Sequence, residues 1–188
     1  MDREGYVIRD EYLPHFLTFR VTDWVDIFTR VNYRDIVVNS LEFCRQNFGL
    51  RIYGYVVMSN HVHAILHQPD GKLSPTITSF KKFTGGEIIR TISAIPESRE
   101  TWMLKRFELA KMRSGGKGDH LFWKRDNHPK QITTRDFFLQ KLNYIHDNPV
   151  RAKIVTQQEH YIYSSAAYYN GLPALIDIDL WDGAIQYK

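Results

Sequence analysis

Two histidines one residue apart, His61 and His63, stand in a run that alternates apolar and polar residues as a β-strand does. Side chains at i and i+2 of a strand point to one face with α-carbons about 6.5–7 Å apart, so both imidazoles can converge on one metal ion. On a half-exposed strand the same pair can also do no more than bond water and backbone carbonyls. A second group lies far along the chain, where Tyr144 and Asn148 sit four residues apart just ahead of Pro149. In a helix that spacing sets a phenol and an amide oxygen on one face about 6 Å apart. The plainer alternative makes Tyr144 an amphipathic core residue and Asn148 a helix-end cap. A phenol has a pKa of ~10 and is a weak nucleophile at neutral pH unless its charge, or the charge it develops on its target, is stabilised. A metal held by two imidazoles does this.

The elements that must position these groups follow from periodicity. Residues 15–21 (HFLTFRV) alternate as a first strand, and a helix over 33–48 is stopped by Gly49. Residues 50–58 and 61–67 read as two strands joined by a Ser59-Asn60 turn, so the histidines open the second strand of a hairpin. A second helix runs from Ser74 or Pro75 to Ile92, with Ile77, Phe80, Phe83, Ile88 and Ile89 as its apolar positions and Gly85-Gly86 as a weak point. Residues 96–119 resemble an insertion with a short helix over 102–112 and a glycine-rich loop over 114–118. Residues 120–124 are the candidate fourth strand. The order β-α-β-β-α-β predicts an α+β, ferredoxin-like antiparallel sheet with helices on one face. After the last core strand comes the helix bearing Tyr144, capped by Thr133 or Thr134, with Phe137, Phe138, Leu142 and Ile145 as its buried stripe. Pro149 is expected to disturb that helix just beyond Asn148. The two histidines should project from a central strand toward the face this helix crosses. His67 shares their parity but lies ~13 Å from His63, too far for the same ion. His120, His128 and His146 are expected at the surface or hydrogen-bonded within the fold.

The chain of 188 residues suits one domain over 1–155 with an extension over 156–188. One cysteine, Cys44, excludes an internal disulfide framework and, with a start that lacks a signal peptide's basic and apolar regions, points to the cytoplasm. No apolar stretch approaches the ~20 residues of a membrane helix. The net charge of +4 is unevenly spread: residues 101–155 hold twelve Lys or Arg against five Asp or Glu, while the remainder is acidic by three. A local basic surplus attracts a polyanion through counterion release. Aromatic residues interleave with these charges at 122–125, and Lys81, Lys82, Trp123, Lys124 and Arg125 are the candidates for nucleic-acid contacts, with Trp123 as a base-stacking surface. Solvated charges and strand-core aromatics are the alternative.

Three ordered segments carry a family likeness: residues 15–19 (HFLTF), residues 55–63 (YVVMSNHVH) and residues 144–152 (YIHDNPVRA). With them the chain resembles the single-tyrosine HUH transposases, in particular the REP-associated tyrosine transposases and related insertion-sequence enzymes. The likeness departs at Ser59, where many relatives carry proline, and in the longer glycine-rich insertion. It implies that His61, His63 and Asn148 bind a divalent metal, Mg2+ or Mn2+, and that Tyr144 attacks DNA. It further implies cleavage of single-stranded or hairpin-forming DNA through a 5′-phosphotyrosine, followed by strand transfer. The site could be built within one chain or across a homodimer. Tyr55, Tyr161 and Tyr163 are the fallback nucleophiles. The competing classes are a non-catalytic nucleic-acid-binding domain and a metal-dependent hydrolase.

Overall fold

The computed structural model describes residues 7–115 and 118–182; Met1 to Glu4, Gly116 and Lys117 lie outside the described residues. Four strands form one antiparallel sheet in the order β2-β3-β1-β4, with β1 His15–Arg20, β2 Arg51–Val57, β3 His61–His67 and β4 Lys130–Gln131. Parity divides the side chains of the two central strands. Leu17 and Phe19 of β1, with Val62, Ala64 and Leu66 of β3, form one buried face. Over it pack α1 Val31–Phe48 and α2 Leu73–Ala94, with Phe80 of α2 5.5 Å from Phe19. Phe16, Thr18, His63 and Ile65 share the other face, which α4 Arg135–Arg151 crosses. Thr134 caps α4 by accepting from the Phe137 N–H. At Gly54 of β2 a Cβ would lie 2.7 Å from the Leu142 side chain of α4, so glycine sets how closely α4 approaches the sheet.

The fourth strand differs from its expected place. Of residues 120–124 only Trp123 makes a bridge, to Val21, while the regular pairing is Lys130 with Phe16 and Gln131 with His15. Between Trp123 and Lys130 the edge advances seven residues against five on β1. The two surplus residues are absorbed in an irregular stretch where His128 has φ 44°. A break of this kind leaves no alternation in the sequence to read.

Other differences have local causes. Helix α2 runs through Gly85-Gly86 without a break, because Gly85 is buried where a Cβ would meet Phe122 at 3.3 Å. Phe83 of α2, placed by periodicity in the core, is exposed. Helix α4 continues through Pro149 to Arg151; the Ala152 N–H still bonds the Asn148 carbonyl, and the turn ends at Lys153 with φ 57°. A proline this near the C-terminus costs one intrahelical bond and little more. Within residues 96–119, α3 Glu100–Ser114 buries Met103 and Phe107, the latter against Phe122. Cys44 is buried in the core, where desolvation pushes its thiol up to about 11.

The residues after 156 close the free edge of β2. The Val57 N–H bonds the Tyr163 carbonyl, Ser165 bonds Tyr55 through its backbone N–H, and Asp179 exchanges backbone and side-chain bonds with Ile52. An edge strand so covered offers no bare ladder to another chain. No described helix is long and apolar enough to cross a membrane.

Candidate active site

The hairpin and α4 bring His61, His63 and Tyr144 together within one chain. The imidazoles of His61 and His63 lie 4.7 Å apart by ring centroid, and the Tyr144 ring stands edge-on 5.2 Å from His63. Phe16 floors the cluster, stacked at 5.3 Å on His63 and edge-on at 5.9 Å to Tyr144. Tyr144 is 37% exposed, so its phenol is open to a substrate.

Each imidazole is held through Nδ1. His63 Nδ1 lies 2.9 Å from the Thr18 hydroxyl of the neighbouring strand, and His61 Nδ1 lies 2.8 Å from Asn60 Oδ1. The Asn60 amide is itself oriented, since its Nδ2 donates to Asp26 Oδ1 at 2.8 Å and to the Trp24 carbonyl at 3.4 Å. Asn60 Oδ1 therefore faces His61 as an acceptor, which places the His61 proton on Nδ1 and the lone pair on Nε2. Both rings are kept neutral. Burial, then the neighbouring His61 and Lys141, lowers His63 to about 3, and burial, then Arg20, lowers His61. Two neutral imidazoles, that of His61 with its lone pair on Nε2 and that of His63 able to present one when the Thr18 hydroxyl accepts its Nδ1 proton, form a donor set that fits a divalent metal.

Asn148 sits one helical turn past Tyr144, its Nδ2 donating to the Tyr144 carbonyl at 2.7 Å while Oδ1 is left free to accept. Among the described residues no third His, Cys, Asp or Glu joins the histidine pair. His67 is engaged elsewhere, by the Tyr12 carbonyl and the Tyr53 hydroxyl. His146 is buried and bonded to the Ser165 hydroxyl at 2.8 Å. Tyr55, Tyr161 and Tyr163 are buried, and desolvation raises the pKa of each, so none presents a reactive phenol.

Of the candidates for DNA contacts, Lys82 and Arg125 are exposed and Lys124 is half-buried. Trp123 is corrected: it is buried against Phe19, Phe28 and Phe80 and donates its indole N–H to Thr84, so no base can stack on it. Lys81 is corrected as well. Its ammonium donates to the carbonyls of Lys124 and Arg125 and to Asn127 Oδ1, which holds the irregular edge to α2, and burial lowers it to about 8. The neighbourhood of Tyr144 instead takes its charge from α4. Lys141 Nζ and the Arg151 guanidinium each lie 5.8 Å from the Tyr144 ring centroid. Their spacing from Tyr144, three before and seven after, is one helix face, a signal that the sequence itself carries. Thr18, Asn60 and Trp24 were also missed, because strand register and turn geometry bring them to the histidines.

No family model matches the chain, and no curated protein matches it. Among solved structures it is similar to a REP-associated tyrosine transposase bound to a REP hairpin, with 15% identity, a TM-score of 0.60, and coverage of 100% of this chain and 98% of that one. A protein from Deinococcus radiodurans R1, provisionally assigned as a transposase, aligns at 18% identity over 78% of this chain and 97% of that chain, with a TM-score of 0.36 that carries no structural argument. The first likeness establishes that this chain has the fold of a REP-associated tyrosine transposase.

Proposed function

We propose that this chain cleaves and rejoins single-stranded DNA through Tyr144 with a divalent metal, Mg2+ or Mn2+, as a DNA transposase. The observation that carries the reading is the convergence of Tyr144 on His63 and His61 from segments some eighty residues apart in sequence. That all three belong to one chain favours a site built without a second subunit. His61 and His63 through Nε2, and Asn148 through Oδ1, would hold the metal. A metal held there would supply Lewis-acid charge that offsets the negative charge developing on the scissile phosphate.

The chain's own residues do the rest. Tyr144 loses its proton to solvent and its Oη forms a bond to phosphorus; the P–O3′ bond breaks, and the 3′ oxygen leaves with the electron pair and takes up a proton. The product is a 5′-phosphotyrosine and a free 3′-hydroxyl, and the reverse attack by a 3′-hydroxyl rejoins DNA. Lys141 and Arg151 stand beside the Tyr144 ring, where their charge attracts the phosphates of the strand. The REP hairpin bound by the structural neighbour supports a DNA hairpin as the partner. Radiolabelled hairpin oligonucleotides from DNA flanking the gene, incubated with Mn2+, should yield a covalent adduct that mass spectrometry maps to Tyr144 and that Tyr144→Phe abolishes. Undiminished cleavage by Tyr144→Phe, with no tyrosine adduct in the parent protein, would refute the mechanism.

A further inference from the structure

Trp24 is an exposed tryptophan held on a backbone that its own side chain disfavours. It is 52% exposed, and both it and the preceding Asp23 lie in the left-handed region, with φ 56° and 52°. Residues other than glycine, asparagine and aspartate seldom adopt that conformation, so the cost falls on Trp24, and residues held there cluster at functional sites. Here the surroundings enforce it. Arg113 of α3 donates to the Asp23 carboxylate at 2.7 Å, and Asn60 donates to the Trp24 carbonyl. The result sets the indole edge-on 6.2 Å from His61, with the Arg20 guanidinium 5.7 Å from its ring centroid.

The ring contacts form a chain: Tyr144 to His63 at 5.2 Å, His63 to His61 at 4.7 Å, His61 to Trp24 at 6.2 Å. Phenol and indole thus stand at opposite ends of the imidazole pair. In-line attack gives those ends different meanings. The nucleophile approaches phosphorus from the Tyr144 end, so the departing 3′ oxygen and the nucleotide that carries it lie toward the Trp24 end. An indole stacks on any base, and an adjacent guanidinium favours both the base face and the phosphates.

We infer that Trp24 is the stacking platform for the base immediately 5′ of the scissile phosphate, and that it retains the 3′-hydroxyl strand for rejoining. The inference rests on the reading of Tyr144 as nucleophile. A test uses single-stranded oligonucleotides spanning the mapped cleavage site, with 2-aminopurine or an abasic site on one or the other side of the cut. On Tyr144→Phe, which leaves the strand intact, 2-aminopurine 5′ of the cut is quenched, and adding Trp24→Ala relieves the quenching. With Tyr144 intact, Trp24→Ala lowers rejoining relative to cleavage about ten-fold, the size of one lost stacking contact, and Trp24→Phe restores most of it. An abasic site 5′ of the cut erases the difference between parent and Trp24→Ala; one on the 3′ side does not. Trp24→Gly, which suits the left-handed backbone, raises the melting temperature while showing the same rejoining loss. Equal quenching with and without Trp24, or unchanged rejoining by Trp24→Ala in a protein that forms the Tyr144 adduct, overturns the platform alone. Absence of any Tyr144 adduct in the parent protein overturns it together with the nucleophile.

Discussion

Exchanging one atom of Asn60 tests whether the turn before the histidines prepares a metal ligand. Its Oδ1 accepts from His61 while its Nδ2 donates to Asp26 at 2.8 Å. Asn60→Asp keeps the shape but sets a second carboxylate oxygen where that donor was. Two unit charges 4 Å apart repel by ~1 kcal/mol in water and ~4 kcal/mol at an effective dielectric of 20, and because Asp26 is exposed the lower figure applies. The new carboxylate also favours the charged form of His61, opposing the lowering that burial and Arg20 impose. A protonated imidazole cannot bind a metal. Asn60→Ala removes the acceptor without adding charge, leaving the ring free to rotate or change tautomer. Both variants should lose about 10–100-fold in Mn2+ affinity, the usual cost of a missing outer-shell partner. Titration calorimetry at about pH 6.5 and about pH 8.5 separates them: Asn60→Asp recovers affinity at the higher pH as His61 loses its proton, and Asn60→Ala does not. Parent-like Mn2+ binding by Asn60→Ala would show that the amide does not orient the ligand.

His146 is lowered to about 4 by burial, so as pH falls below ~6.5 the unfolded chain takes up the proton before the folded one does. Its contribution to stability is complete above that pH and is lost on the way down to about 4, by at most ~1.4 kcal/mol per pH unit; His146→Gln, which keeps a partner for Ser165, should make urea midpoints less dependent on acid, and an unchanged slope would contradict this. Gly54→Ala drives a methyl to 2.7 Å from Leu142 and should cost about 1–3 kcal/mol in urea unfolding. If α4 yields by ~1 Å, single-turnover cleavage should fall by up to ~100-fold while DNA binding is kept; full stability together with a full rate would mean that Gly54 does not set the height of α4.

The histidine pair was legible because strand parity is a property of the backbone, the hairpin because two apolar runs flank a Ser59-Asn60 turn even though β2 shifts register between Ile52 and Gly54, and the Tyr144 helix because its apolar residues recur at helical spacing. The Lys124-Arg125 neighbourhood misled for the opposite reason. Trp123 beside two basic residues looks like a stacking surface in composition, yet pairing with Val21 turns it into the aromatic core. Lys81 reads as a candidate for DNA contact in the sequence because nothing local reveals that three acceptors from residues 124–127 surround its ammonium. The partners of the site residues, Thr18 and Asn60 above all, are set by register and turn geometry and have no periodic signal of their own.

The seal on the β2 edge gives folding of this chain a direction in time. The strands of the hairpin leave the ribosome about a hundred residues before Tyr163 and Ser165, the segment that satisfies the outward backbone groups of Val57 and Tyr55. At ~5–20 residues per second that interval lasts seconds, longer than a hairpin needs to form. A sheet that pairs as it is made waits with an open edge until residues 163–165 are synthesised. Slowing translation between codons 152 and 160 would lengthen the exposure and give strand pairing between neighbouring chains on one polysome its opportunity.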